Sequence, residues 1–285
     1  MNARKTIVFF GAHPDDETFG PGATLAQYAL AGVKVYCVCV TRGEAGTVDA
    51  KYMQGFASIA DVRMTEMACA AKALGLAGVK YLGYRDSGMP GSPDNSHPDA
   101  LTAAPVEQVA GRMVRVIREL KPDVIITHDA GGGYGHPDHV AVHNAVVKAF
   151  QAAGVPCEYP ESGTAFQPGA LFFTVRPRGA FRLAIKLMPL LGQDPKHYGR
   201  NKDIDLTKMA EQEYPVHAGI RLTRRALEMR NEASACHASQ GGGRSRSSLF
   251  RILGMAEKLR GAQDCFMRAY PPPAGRCAKD LLDYS

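Results

Sequence analysis

The sequence predicts an α/β fold: a mostly parallel sheet with helices on both faces, followed by a mainly helical C-terminal extension. Three observations predict it. Short apolar runs alternate with longer segments of helical spacing between residues 6 and 175, the alternation that builds right-handed βαβ units. Glycines stand where helical segments stop, at Gly32, Gly75 and Gly154. The polar residues able to do chemistry gather directly after the strands, the edge at which an open α/β sheet binds ligands.

Each element follows from its residues. Thr6 to Phe10 is an apolar run bounded by Gly11, hence a buried first strand. Gly22 to Ala31 has helical spacing through Leu25, Tyr28 and Ala29. Lys34 to Val40 is the second strand, Ile59 to Leu74 a helix, and Val79 to Leu82 a short third strand. Pro105 to Leu120 is a helix with proline in its first turn. Val124 to Thr127 is the fourth strand, His139 to Ala153 a helix and Ala170 to Val175 the fifth strand. Gly88 to Pro105 is an irregular insertion placed to rim a site, and Gly131 to Gly135 is a second irregular stretch. Beyond residue 176 the pattern weakens. Thr207 to Tyr214 and Ile220 to Cys236 read as helices, Gly241 to Ser248 as a flexible loop, and Pro271-Pro-Pro273 as the start of an extended tail. The expected organisation is a Rossmann-like core over residues 1–176 and an extension over 177–285 that packs on the core and shapes the substrate pocket.

Composition narrows the function classes. Apolar residues make up 45% of the 285-residue chain and charged residues 22%, which excludes disorder over the whole length. No run of about 18 apolar residues exists; the most lipophilic stretch, residues 170–192, is broken by Arg176, Arg178, Arg182 and Lys186. The N-terminal residues read as the approach to a strand, not as a secretory leader. The seven cysteines show no C-x-x-C spacing, so the expectation is free thiols, a cytoplasmic location and no thiolate zinc site. Residues 1–150 carry a formal charge of −1 and residues 151–285 carry +7. The basic residues of the second half are scattered with few aromatics between them, which reads as a solvated surface rather than a nucleic-acid face.

Two clusters carry the chemistry. His13-Pro14-Asp15-Asp16-Glu17 follows the first strand, offering nitrogen and oxygen donors of the kind zinc takes. Alone it also reads as a turn in which Asp15 or Asp16 caps a helix. It is not a dinucleotide fingerprint, since G-x-G-x-x-G is absent. His136-Pro137-Asp138-His139 follows the fourth strand, with His128-Asp129 before it and His143 after it. In a doubly wound sheet of order 3-2-1-4-5, strands 1 and 4 are neighbours at the topological switch point, so the two clusters meet. Arg42 and Glu44 after the second strand, and Asp86 after the third, lie at the same edge as candidates for substrate contact. His97, His197 and His217 lack such company.

The pair Ala12-His13-Pro14-Asp15-Asp16-Glu17 and Gly135-His136-Pro137-Asp138-His139 resembles the zinc-dependent PIG-L/LmbE-like N-acetylglucosamine deacetylases, among them the deacetylases of mycothiol and bacillithiol biosynthesis and the related mycothiol-conjugate amidase. The likeness spans roughly residues 5–176, including Thr41-Arg-Gly-Glu44, Arg63-x-x-Glu66 and Arg85-Asp-Ser-Gly88; beyond it only His237-Ala-Ser-Gln240 is similar to a late motif of the family. The resemblance implies one Zn2+ per chain held by His13, Asp16 and His139. It implies Asp15 as general base and His136 as an imidazolium that stabilises the oxyanion, or as an acid. It gives Asp138 as the group that holds the tautomers of the flanking histidines, and Tyr134 as an aid in polarising the carbonyl or protonating the amine. Glu44, Arg63 and Asp86 would contact sugar hydroxyls, and His237 would reach the site from the C-terminal half.

The chemistry fits hydrolysis of an acetamide, which needs an activated water, a sink for oxyanion charge and a proton for the leaving amine. The expected function is therefore a zinc-dependent hydrolase that removes an acyl group, acetyl first among them, from the nitrogen of an amino-sugar conjugate. The expected partner is that small molecule, with no nucleic acid and no membrane insertion; a homo-oligomer is left open. The competing reading is a metal-free α/β module that docks an acidic partner through its basic half.

Overall fold

The computed structural model describes residues 4–176, 178–198, 202, 204–243, 261–273 and 275–284. One sheet of seven strands organises them: β1 (Thr6–Gly11), β2 (Lys34–Thr41), β3 (Gly78–Tyr84), β4 (Val124–Thr127), β5 (Ala170–Val175), β6 (Ala218–Arg221) and β7 (Gln263–Tyr270), in the order β3-β2-β1-β4-β5-β7-β6. The first five strands are parallel, and β7 runs antiparallel to both β5 and β6. The expected order 3-2-1-4-5 is thus present, with two antiparallel strands added at one edge.

The helices are α1 (Asp16–Phe19), α2 (Gly22–Leu30), α3 (Ile59–Ala73), α4 (Val106–Leu120), α5 (Pro137–Ala153), α6 (Arg178–Leu187), α7 (Leu206–Glu211) and α8 (Arg224–Cys236). Alternating strand residues point to opposite faces. Val8, Phe10, Val38 and Ile125 pack with α4 and α5 through Met113, Ile117, Val142 and Val146. Ile7, Phe9, Cys37 and Ile126 pack on the other face with Leu25 and Met67. There α2, α3 and α8 close a third cluster around Ala26, Ala70, Leu74, Ala226 and Met229.

The second half departs from the sequence reading. Residues 218–221 form a strand, not the start of a helix, because Ala218 to Arg221 pair with β7. The helix begins only at Arg224, after Thr223 accepts the N–H of Ala226 through its hydroxyl. The tail after Pro273 returns to the sheet: Ala278 bridges to Ala218, and Leu281 is fully buried. Residues 244–248 of the expected glycine-serine loop lie outside the described residues.

The expectation of seven free thiols is corrected. Cys69 on α3 and Cys236 at the end of α8 form a disulfide with their Cα atoms 5.8 Å apart. They are 167 residues apart in sequence, so spacing gave no sign of the pair; the packing of α8 on α3 brings them within disulfide range.

Candidate active site

The site is built at the C-terminal ends of β1 and β4, the point where the sheet order reverses. After β1 the chain turns sharply at Asp15, whose φ of 137° lies in a region that non-glycine residues rarely enter. The Asp16 carboxylate locks this turn: its Oδ2 accepts the N–H groups of Ala12 and His13, each at 2.8 Å. Gly11 makes room, since a Cβ there would lie 3.0 Å from that of Asp16 and 2.9 Å from the Phe9 ring. Neither aspartate caps α1 through its side chain, so their carboxylates are turned to other partners.

After β4, Asp129 folds the glycine-rich loop by accepting the N–H groups of Gly131 and Gly133. Helix α5 starts at Pro137, two residues earlier than the spacing suggested, and His136 is its cap: Nδ1 accepts the Asp138 N–H at 3.2 Å. His139, one turn in, then points at the β1 loop.

Three donor groups converge. His139 Nε2 lies 3.3 Å from His13 Nδ1 and 3.3 Å from Asp16 Oδ1, and His13 Nδ1 lies 3.8 Å from the other Asp16 oxygen, Oδ2. Tetrahedral zinc with bonds of about 2.0–2.1 Å sets its ligand atoms roughly 3.3 Å apart, the spacing that His139 Nε2 keeps to both His13 and Asp16. Among the described residues the metal-capable groups are His13 with His136 and His139, His13 with Asp86, His136 and Asp138, and Asp16 with His128 and His139, so His139 joins both loops. His128 Nε2 shares the Ala12 N–H at 3.2 Å with Asp16 Oδ2, which holds it at 2.8 Å, and lies 3.4 Å from that oxygen. His128, placed in the second cluster from sequence but given no role there, stacks on His139 with ring centroids 3.9 Å apart.

Carboxylates orient His13 from behind. Its Nε2 lies 3.1 Å from Asp138 Oδ2 and 3.5 Å from Asp86 Oδ1. Burial opposes the charged ring, but Asp86 and Asp138 raise the His13 pKa well above the ordinary histidine value, the effect a carboxylate has on a ligand's basicity. Asp138 therefore serves His13, on the other loop, rather than its neighbours His136 and His139. Ser87, a residue the sequence reading did not use, steadies the carboxylate by donating its N–H to Asp138 Oδ2 at 2.9 Å.

Asp15 faces Arg63. The guanidinium donates to Asp15 Oδ2 at 3.0 Å, to the Pro14 carbonyl at 2.9 Å and to the Gly43 carbonyl at 3.0 Å. Gly43 has φ of +70°, and a Cβ there would collide with Arg63. Burial pushes the Asp15 carboxyl above its ordinary range, with Arg63 opposing.

Several residues expected to touch sugar stand elsewhere. Arg63 is 4% exposed and spent on the Asp15 turn. Asp86 is buried between His13 and Arg63. His237 is fully buried, and its Nε2 lies 2.7 Å from Glu17 Oε1, while Glu17 Oε2 accepts the Asp15 N–H at 3.0 Å. Arg63 and, through Glu17, His237 brace the Asp15 turn, while Asp86 packs between His13 and Arg63. Arg42 and Glu44 do remain at the rim, paired at 3.1 Å, and Glu44 accepts the Asp86 N–H.

The expectation for His136 is an imidazolium or an acid. Burial, followed by the His13 and His139 rings, lowers its pKa to about 2, a direction that works against the imidazolium, and Nδ1 accepts the hydrogen bond of the Asp138 N–H. That bond leaves Nε2 as the donor of a neutral ring. Tyr134 packs edge-on against His136 and His139, and burial holds its phenol protonated.

Residues 8–150 match the family model described as GlcNAc-PI de-N-acetylase, PIG-L. This chain belongs to that family. It is 34% identical over 250 residues, 84% of each chain, to the 1D-myo-inositol 2-acetamido-2-deoxy-alpha-D-glucopyranoside deacetylase of Geodermatophilus obscurus. It is 41% identical to the enzyme of the same description from Thermobifida fusca over 187 residues, 62% of this chain and 64% of that one. The fold is shared with the N,N'-diacetylchitobiose deacetylase of Pyrococcus horikoshii at a TM-score of 0.62 and 18% identity, over 94% of this chain and 84% of that one. Among the described residues no helix is long and apolar enough to cross a membrane.

Proposed function

We propose that this PIG-L family member is a zinc-dependent hydrolase that removes the acetyl group from the nitrogen of an amino-sugar conjugate. The observation that carries the reading is that His139 Nε2 lies 3.3 Å from both His13 Nδ1 and Asp16 Oδ1, beside the half-buried Asp15 carboxylate. Two imidazoles and one carboxylate are a donor set of catalytic zinc, which leaves an open position. Zinc held there supplies a Lewis acid for the carbonyl and lowers the pKa of a water to about 7.

The chain's own residues do the rest. Asp15 takes the proton of the attacking water, its basicity raised by burial and its position fixed by Arg63. His136 donates a hydrogen bond from Nε2–H to the oxygen on which charge develops; one such donor is worth about 2.7–4 kcal/mol. Tyr134, protonated, is placed to supply a proton to the departing amine. Asp138 and Asp86 hold the His13 ring, and Glu17 and His237 hold the Asp15 turn. Arg42 and Glu44 meet the sugar at the rim.

The relatives name an N-acetylglucosaminyl inositol as their substrate, so that conjugate is the first to offer. The test is acetate release and a free amine, followed by mass spectrometry with the zinc-loaded protein. Turnover that chelation abolishes and zinc restores is the expected result; no turnover across N-acetylglucosaminides overturns the reading.

A further inference from the structure

Asp15 is held from two sides, and the two holds stand on elements that the one disulfide among the described residues joins. On one side Arg63, from α3, donates to the Asp15 carboxylate and to the Pro14 carbonyl. On the other, Glu17 accepts the Asp15 N–H and is itself met at 2.7 Å by His237 Nε2. Cys69 stands on α3 with Arg63, and Cys236 is the last residue of α8, with His237 next to it. The disulfide therefore ties the base of one hold to the base of the other.

The packing of α8 on α3 is light in apolar area. Its cluster is mostly alanine, with Ala70, Ala226 and Ala233 beside Leu74 and Met229, and an alanine buries little surface. Past the helix, Ser239 donates its N–H and its hydroxyl to Glu66 of α3, both at 2.7 Å. His237 and Glu17 are fully buried, and taking such a pair out of water is costly. His237 Nδ1 makes no hydrogen bond among the described residues, so the ring keeps its place through Glu17 and through the backbone of residues 236–240. The disulfide spans 167 positions of sequence, and a cross-link over a long loop takes the most entropy from the open chain. It also lies within reach of solvent: Cys69 is exposed and Cys236 half-buried, whereas the free Cys37, Cys39 and Cys265 are buried.

We propose that Cys69 and Cys236 are a redox-controlled positioning pair for Asp15. Joined, they keep His237 and Glu17 against the catalytic turn; reduced, they let residues 236–240 leave α3, and the turn loses one of its two holds. A dithiol supplies the electrons. One of its thiolates attacks a protein sulfur, its second sulfur then displaces the mixed disulfide, and the reductant closes into a cyclic disulfide while Cys69 and Cys236 each end as a thiol. The Asp16 carboxylate is bound to the Ala12 and His13 N–H groups and not to α8, so reduction leaves the proposed metal ligands in place. The effect on turnover rests on the deacetylase reading; the coupling of the disulfide to the turn does not.

The test compares the zinc-loaded protein oxidised and after treatment with dithiothreitol, with the reductant then removed under exclusion of air and the zinc content measured. Hydrogen exchange read by mass spectrometry should quicken on reduction in peptides covering residues 13–19 and 236–240 and stay level in those from α5. With an N-acetylglucosaminide as substrate, kcat should fall about 10–100-fold, the order that a misplaced catalytic group costs, and should return on reoxidation. KM should stay level, because Arg42 and Glu44 at the rim have no tie to α8. The double variant Cys69→Ala, Cys236→Ala should sit at the reduced level with or without reductant; if it does not fold, the oxidised and reduced wild type decide alone. Equal exchange over residues 13–19 in the two states, or equal kcat, overturns the proposal. So does loss of zinc on reduction, or a reductant effect of the same size in the double variant, since either places the cause outside the disulfide. If no N-acetylglucosaminide is turned over in either state, the deacetylase reading fails, while the exchange measurement still decides the coupling.

Discussion

Asp138 Oδ2 lies 3.1 Å from His13 Nε2, although the two residues are 125 positions apart. One belongs to the first turn of α5 and the other to the loop after β1. The contact turns His13 so that Nδ1 faces Asp16 and His139. Asp138→Asn keeps the shape but removes the charge that makes His13 a strong ligand. Metal affinity should fall about 10–100-fold, read by competition with a coloured chelator. Unchanged affinity would mean that the carboxylate does not tune the ligand.

Asp15→Asn should retain zinc, because the three proposed ligands are other residues. Its rate should fall by about 10²–10⁴, the usual worth of a positioned general base. The loss should be equal in kcat and kcat/KM, since the proton moves only on the way to the transition state. Asp15 works as a base only when ionised, so wild-type activity should rise with pH through its pKa. Burial raises that pKa, so the acid limb should lie above the ordinary aspartate value of about 3.9. A variant within three-fold of wild type, on the order of 0.65 kcal/mol, would reject the base role.

Arg63→Met leaves the Asp15 carboxylate buried without its partner. Breaking a buried pair from one side costs about 3–5 kcal/mol, which denaturant unfolding should register. The acid limb of activity should move to higher pH, because the guanidinium that opposed protonation is gone. An unmoved limb would contradict the contact between Arg63 and Asp15 as the one that matters.

Alkylation under denaturing, non-reducing conditions should count five thiols among the seven cysteines, with Cys69 and Cys236 silent. Cys69→Ser should cost about 2–5 kcal/mol of stability. Seven reactive thiols would show that the pair is not joined in the isolated protein.

The parallel half of the fold was legible because β1, β2, β4 and β5, buried on both faces over most of their length, are short apolar runs closed by glycine or a polar turn. β6 and β7 were not. Ala218 to Arg221 is only four residues long, and β7 places exposed Gln263 and Tyr270 at its ends, so neither stands out without its partner. Within the site, sequence showed which residues cluster but not which way they face. Arg63, Asp86 and His237 look like substrate-binding residues on paper. Packing buries them behind Asp15 and His13, and only depth distinguishes a brace from a contact. His128 stood out from its place directly after the fourth strand, but its contact with the Ala12 N–H depends on the register of β1 against β4.

The central claim is that His13, Asp16 and His139 hold one zinc while His136 stands beside it. Metal content of purified wild type, His139→Ala and His136→Ala tests it most directly, since the cluster also offers a set in which His136 takes part. The account predicts one zinc per chain in the wild type and in His136→Ala, and loss of zinc in His139→Ala with the fold retained. Full zinc in His139→Ala, or its loss in a folded His136→Ala, would contradict it.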